Sequence, residues 1–427
     1  MLRSFFSQCI ICSHFASWPM SQKVKINSLN IKCHKCMAKV VFITFHNWET
    51  KRLGGFHKFA EYCCEKGMET VFFSFSRPYY IYFKKSERLN KGVLKKLVGG
   101  KKYKLGGNTL LNITFPTLAL PGPLRTFVPD RLNTWLITNS VKSFSKFARN
   151  YFKGTDVFVF ESNESVFLIN KIKKLFPNSK IIYRPSDPII ANSNISEAKC
   201  IFEKEILNLA DIVLPVNEQG LQLYEKVVSG FKNNVTYKVL SNGVDTCLFE
   251  KQYKKPVALQ KANTALYMGA LAPNWQLIIK AAKALTNVNF VIVCPEMPDD
   301  KYKKEFENIR NLCFVPGVLS EDVPKWVTNA DLIIVPNPED RYQDKPWGIT
   351  AKYYQAMAAR KPIVAYHDTI ELEKLSVSVS YSENDFIVAI QDSIGCEEQR
   401  YEYDLRKKNW AVVCQEFVEI VNELCYV

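Results

Sequence analysis

No apolar run in this 427-residue sequence is long enough to cross a bilayer as a helix. A convincing signal peptide is missing too, so the 13 cysteines are expected as free thiols in a reducing compartment. Acid is in short supply: 42 Asp and Glu stand against 57 Lys and Arg. The resulting formal charge of +15 favours anionic partners such as nucleic acid, anionic lipid or phosphorylated substrates. Apolar residues, by contrast, make up 47%, the composition of a globular protein. The length is too great for one ordinary core and predicts two domains.

The shortage of acid is sharpest between Arg77 and Lys104. There Lys84, Lys85, Arg88, Lys91, Lys95, Lys96, Lys101 and Lys102 meet the single acid Glu87, with Tyr79, Tyr80, Tyr82 and Phe83 beside them. Rings at headgroup level and lysines over anionic lipid would make an interfacial membrane patch, each cation contributing about 1 kcal/mol. A solvated basic loop is the alternative.

Cys9, Cys12, Cys33 and Cys36 have the spacing of a four-thiolate zinc module. The stretch between the pairs lacks a hydrophobic period, and Met37 opens MAKVVFITF, a typical first strand. Residues 1–36 therefore read as a non-domain leader, from a start codon placed too far upstream or a membrane-proximal segment, with a zinc module as the other reading.

From Met37 apolar strands alternate with amphipathic helices, the pattern of doubly wound parallel α/β sheets. Strands are predicted at 39–45, 70–75, 156–160, 180–184 and 212–215, and a second series starts at Thr264 after a turn at Gly243 and a polar linker, 250–261. Two such halves facing one another leave a cleft at the carboxyl ends of their strands, where ligands bind.

Asp187 follows the strand 180–184 and is placed to take a proton from a hydroxyl in that cleft; organising a Ser-Asp-Pro turn is the simpler role. Glu161 and Glu164 end the preceding strand and either bind hydroxyls or cap the next helix. Downstream, the turn 345–348 leads to Thr350, a good N-cap, and a helix carrying Lys352 and Gln355 on one face. Its N-terminus suits a phosphate.

These features resemble the nucleotide-sugar site of GT-B glycosyltransferases. More specifically, FVFESNESVFLINKIKKLFPNSKIIYRPSDP resembles the GumK family of glucuronosyltransferases, in which one strand ends in Glu-Ser and the next in Tyr-Arg-x-Ser-Asp. The resemblance implies that Asp187 is the catalytic base and that Lys352 contacts a diphosphate. It further implies donor positions at Gln355, Gly269, Gly317 and Thr350, and acceptor contacts at His46, Arg52, His57 and Glu161. Leucines near 271 and 319, Val318 and Asn337 depart from the family pattern, and no cation is evident for a glucuronate carboxylate.

The implied fold is α/β, GT-B, with an acceptor domain at 37–245, a nucleotide-sugar domain at 246–402 and a C-terminal helix, 403–427, packing back on the first. The implied activity is inverting transfer from a UDP-sugar to a polyprenyl-diphosphate-linked oligosaccharide in exopolysaccharide assembly, by a protein peripheral to the cytoplasmic face of the inner membrane. No Asp-x-Asp occurs, so neither a metal nor any other cofactor is expected. A retaining GT-B enzyme, a non-catalytic scaffold and a basic nucleic-acid binder are the rivals; the last leaves both αβ halves unexplained, so nucleic acid is not an expected partner.

Overall fold

The computed structural model describes residues 38–50, 53–79, 99–120, 127–191, 197–338, 349–396, 399–401 and 403–426. Residues 1–36, with their four cysteines, lie outside the described residues. Arg52, the turn 345–348 and the stretch 80–98 of the basic segment lie outside them too.

Runs of Val, Ile and Phe buried on both faces build the first sheet, as parallel strands covered by helices require. Its strands are β1 (Lys39–Thr44), β2 (Glu69–Pro78), β3 (Lys101–Leu105), β4 (Asn108–Thr117), β5 (Val157–Glu161), β6 (Lys180–Arg184) and β7 (Ile212–Val213), in the order β3-β4-β2-β1-β5-β6-β7. All pairs are parallel except β3 with β4 at the edge. From β1 the chain winds outward to one side, then returns to β5 on the other, so the topological switch point lies between β1 and β5.

The second sheet comprises β8 (Thr264–Met268), β9 (Asn289–Val293), β10 (Leu312–Val315), β11 (Leu332–Pro336), β12 (Ile363–Tyr366) and β13 (Ser378–Ser380). Its order, β10-β9-β8-β11-β12-β13, is parallel throughout and puts the switch point between β8 and β11.

The helices that bear on the site are α1 (Gly55–Glu65), α2 (Asp130–Ser140), α3 (Glu197–Leu209), α4 (Glu218–Val227), α5 (Ala351–Ala358) and α6 (Trp410–Tyr426). Two passages join the sheets and are bonded to each other: the Val244 N–H donates to the Lys408 carbonyl at 2.7 Å, and the Trp410 N–H to the Val244 carbonyl at 3.2 Å. Gly243 leaves room for this crossing, since a Cβ there would stand 2.7 Å from the Trp410 indole. α6 then enters the first sheet's core, Phe417 meeting Phe59 and Phe42 at ring distances of 4.6 and 5.9 Å. Gln219 at the start of α4 donates to Glu371 beyond β12, so segments after β7 and β12, at the carboxyl ends of the two sheets, meet.

One sequence-based expectation needs correction here. Lys101, Lys102 and Lys104 do not lie in a loop but belong to edge strand β3, paired with β4 through a turn at Gly106 and Gly107, both at positive φ. Charged side chains suit an exposed sheet edge, where they discourage pairing with another chain.

Candidate active site

The carboxyl ends of β1, β5 and β6 carry His46, Glu161 and Asp187, beside the switch point. Glu161 closes β5 and is buried. Its carboxylate accepts hydrogen bonds from the Thr44 hydroxyl of β1 and, at 2.7 Å, from Asn163, while His46 Nε2 lies 3.4 Å away. Burial works to raise its pKa, but the hydrogen bond and charge of His46, the Thr44 hydroxyl and Arg184 together outweigh it and hold the carboxyl below its usual range. Glu161 is thus committed to the protein, and what it presents to the cleft is His46. Glu164 pairs with Lys199 at 2.9 Å, and the helical turn after β5 is capped by Asn163, not by either glutamate.

Asp187 sits in the turn after β6, its N–H donating to the Ser162 hydroxyl at 3.3 Å. The residue is exposed at the surface, and the protein atoms around its carboxyl strip part of its hydration. That loss of hydration, then the charge of Glu161, raises its pKa, with Arg184 opposing. Among the described residues none donates a hydrogen bond to its carboxylate. Two neighbouring carboxyls are therefore driven apart, Glu161 down and Asp187 up, as acid–base sites require.

His57, in the first turn of α1, has both ring nitrogens engaged by backbone. The Gly54 N–H donates to Nδ1 at 3.2 Å, and Nε2 donates to the Asn47 carbonyl at 3.0 Å, fixing the neutral tautomer. It is buried, and burial lowers its pKa to about 4. Its geometry is that of a brace for the loop carrying His46. The unfolded chain protonates this imidazole near 6.5 and the folded chain near 4, so its contribution is complete above pH 6.5 and is lost as pH falls to 4. Roughly 3 kcal/mol is at stake. Urea midpoints of His57→Gln should flatten across this window relative to wild type; parallel pH profiles would contradict the assignment.

Across the site, Gly269 follows β8 and Asn337 follows β11, flanking the second switch point. Gly269 tolerates no side chain, because a Cβ would meet the Tyr267 hydroxyl at 2.3 Å. That hydroxyl is held by the Leu271 carbonyl at 2.9 Å, and Lys352 Nζ stands 5.5 Å from the same ring. Gly317, after β10, is at φ +77° beside open space. Thr350 precedes α5 in extended conformation, but its side chain makes no cap to the first turn and its buried Oγ1 has no partner among the described residues. Gln355 lies one turn beyond Lys352, half-buried. Leu271, Met297 and Leu319 add an exposed apolar residue after each of β8, β9 and β10.

Sequence reasoning missed a buried polar cluster under α5. Asp368 accepts from the Tyr353 hydroxyl, from Asn337 Nδ2 at 2.8 Å and from the Thr369 N–H at 2.7 Å, while Asn337 Oδ1 stays buried without a partner among the described residues. The signal was His367-Asp368 directly after an apolar strand, where a carboxylate stands at a strand's carboxyl end. Also missed was the contact of Arg184 with Asn242, at 2.8 Å.

Comparison with known proteins agrees with the two-sheet fold. Sucrose-phosphate synthase from Thermosynechococcus elongatus superposes with TM-score 0.62 at 13% identity, over 91% of this chain and 99% of that one. An α,α-trehalose-phosphate synthase from Burkholderia vietnamiensis gives 0.62 at 12%, over 91% and 98%. Anabaena HepE, solved in complex with UDP-glucose, gives 0.55 at 14%, over 91% and 97%. The fold is GT-B. Residues 42–215 match the N-terminal domain of glucuronosyltransferase GumK, and residues 262–395 match glycosyl transferases group 1; the protein is a glycosyltransferase, and the two matches together support one of GumK-like GT-B type. No curated protein matches it by sequence.

Proposed function

We propose that the protein transfers a sugar, glucuronic acid being the favoured one, from a UDP-sugar to a lipid-linked oligosaccharide with inversion and without a metal. The observation that carries this reading is Asp187: a reachable, poorly hydrated carboxylate at the end of β6, in a GumK-type domain. Asp187 takes the proton of an acceptor hydroxyl as its oxygen bonds to the anomeric carbon. The bond from that carbon to the diphosphate oxygen breaks, and its electron pair leaves with UDP. Lys352 and the first N–H groups of α5 receive the developing negative charge. His46, held by Glu161, and Arg52 supply acceptor contacts, and Gly269, Gly317, Thr350 and Gln355 line the donor side.

A UDP donor is supported by the UDP and UDP-glucose complexes of HepE, and glucuronate by the family of the first domain. Support for a lipid-linked acceptor comes from the rim of the first sheet. Tyr79 leaves β2 beside Leu118 leaving β4, and both are exposed, as are Phe127 and, on α2, Trp135. In sequence the lysines of the basic segment follow Tyr79, and cations and rings together suit an anionic membrane face. Among the described residues no helix is long and apolar enough to cross a membrane. Surface contact at the cytoplasmic face of the inner membrane is the placement we favour.

Proton NMR of the product formed from a UDP-sugar and a polyprenyl-diphosphate oligosaccharide tests the stereochemistry. Inversion at the anomeric carbon is expected; retention would exclude Asp187 as a direct-displacement base.

A further inference from the structure

Arg184 ends β6 three residues before Asp187, is wholly buried, and has no part in the transfer step as written. A guanidinium carries five N–H donors, and this one makes few bonds: to the Ser186 hydroxyl at 3.3 Å and to Asn242 Oδ1 at 2.8 Å, with Nε unpartnered among the described residues. The Phe59 ring covers it at 4.8 Å. Its compensating charges are Glu161 on β5 and Asp187 on its own loop. A buried cation so sparsely bonded is expensive to keep, so its two bonds call for a reason.

They join the loop that carries Asp187 to the passage between the sheets. Asn242 belongs to that passage; three residues on, Asp245 pairs with Lys58 of α1 at 3.2 Å, and Val244 is bonded to Lys408 and Trp410 of the return passage. Gly55, at the head of α1, closes over the pair: a Cβ there would stand 2.8 Å from Asn242 Oδ1 and 3.6 Å from Arg184. The far end of the loop is fixed separately by the buried carboxylate of Glu203 on α3. That group accepts from the Ile189 and Ile190 N–H groups at 3.0 and 2.7 Å and from the hydroxyls of Tyr183 and Tyr224 at 2.6 and 2.9 Å. Glu203 anchors the loop within its own domain, whereas Arg184 ties it to the passage that leads to the other.

We propose that Arg184 is a positioning residue that pins the Asp187 loop to the passage between the two sheets, holding the base in register with the donor-binding half. The proposal rests on Asp187 being the base. Its test uses the full chain and measures UDP release with water as acceptor, from whichever of UDP-glucuronate and UDP-glucose turns over faster, alongside UDP affinity by calorimetry.

Arg184→Lys and Asn242→Ala are expected to lower kcat by about 10- to 100-fold, the scale of an ångström-sized misplacement, with donor KM and UDP affinity unchanged. Asn242→Asp keeps an acceptor for the guanidinium and should recover most of the rate. A merely structural contact would lower the melting temperature and leave kcat per UDP-binding protein intact. Should Asn242→Ala turn over like wild type while Asp187→Asn is inactive, the positioning role is overturned and the base stands. If Asp187→Asn itself turns over like wild type, the base assignment falls and takes this proposal with it.

Discussion

Replacing Asp187 with Asn is expected to slow sugar transfer by about 10³-fold, within the range for loss of a general base, while UDP affinity stays as it was. The substitution keeps the shape of the side chain and removes only its ability to take a proton. Among the described residues the carboxylates that follow β5 are already engaged: Glu161 is tied to Thr44, Asn163 and His46, and Glu164 to Lys199. The wild-type rate should fall as pH drops through the raised pKa of Asp187, because only the ionised form accepts a proton. Its acidic limb is therefore expected above the ordinary range of an aspartate, about 3.9. A transfer rate within a few-fold of wild type for Asp187→Asn would remove it from the mechanism.

Lys352→Ala should cost about 10²-fold or more in kcat, as loss of one preorganised donor to a developing oxyanion does, and should weaken UDP as well. The ammonium stands beside Tyr267, next to the close turn at Gly269 and at the head of α5. Charge lost there is lost from both the bound diphosphate and the departing one, so donor KM rises together with the fall in kcat. Steady-state kinetics with varied donor separate the two. An unchanged KM and kcat would place the diphosphate elsewhere.

Much of this arrangement was legible in the residues, and the reasons are local. Unbroken apolar runs such as Val40–Ile43 and Leu332–Val335 are buried on both faces, so their length and their turns identify parallel strands without tertiary information. The position of Asp187 at the carboxyl end of β6 was legible because it follows such a run directly. The hairpin of β3 and β4 was not read, although Gly106-Gly107 between two strand-like runs is a two-residue turn signal; the dense lysines drew attention to charge instead.

Other features depend on distant pairing that no window of sequence reveals. Arg184 meets Asn242 across 58 positions, and Glu161 meets Thr44 across 117. His57 looked like a ligand contact from its company in the first loop, whereas its surroundings in three dimensions make it a neutral, buried brace. Thr350 had the identity of a capping residue, yet its hydroxyl caps nothing.

Thermal unfolding of the full chain with UDP and a chelator present tests the central claim, a metal-free UDP-sugar site built on Lys352, most directly. At a hundred times its dissociation constant UDP should stabilise the wild type by about 2.7 kcal/mol, and the same concentration should leave Lys352→Ala almost unmoved. Wild-type protein whose unfolding responds to neither UDP nor UDP-glucuronate would contradict the account.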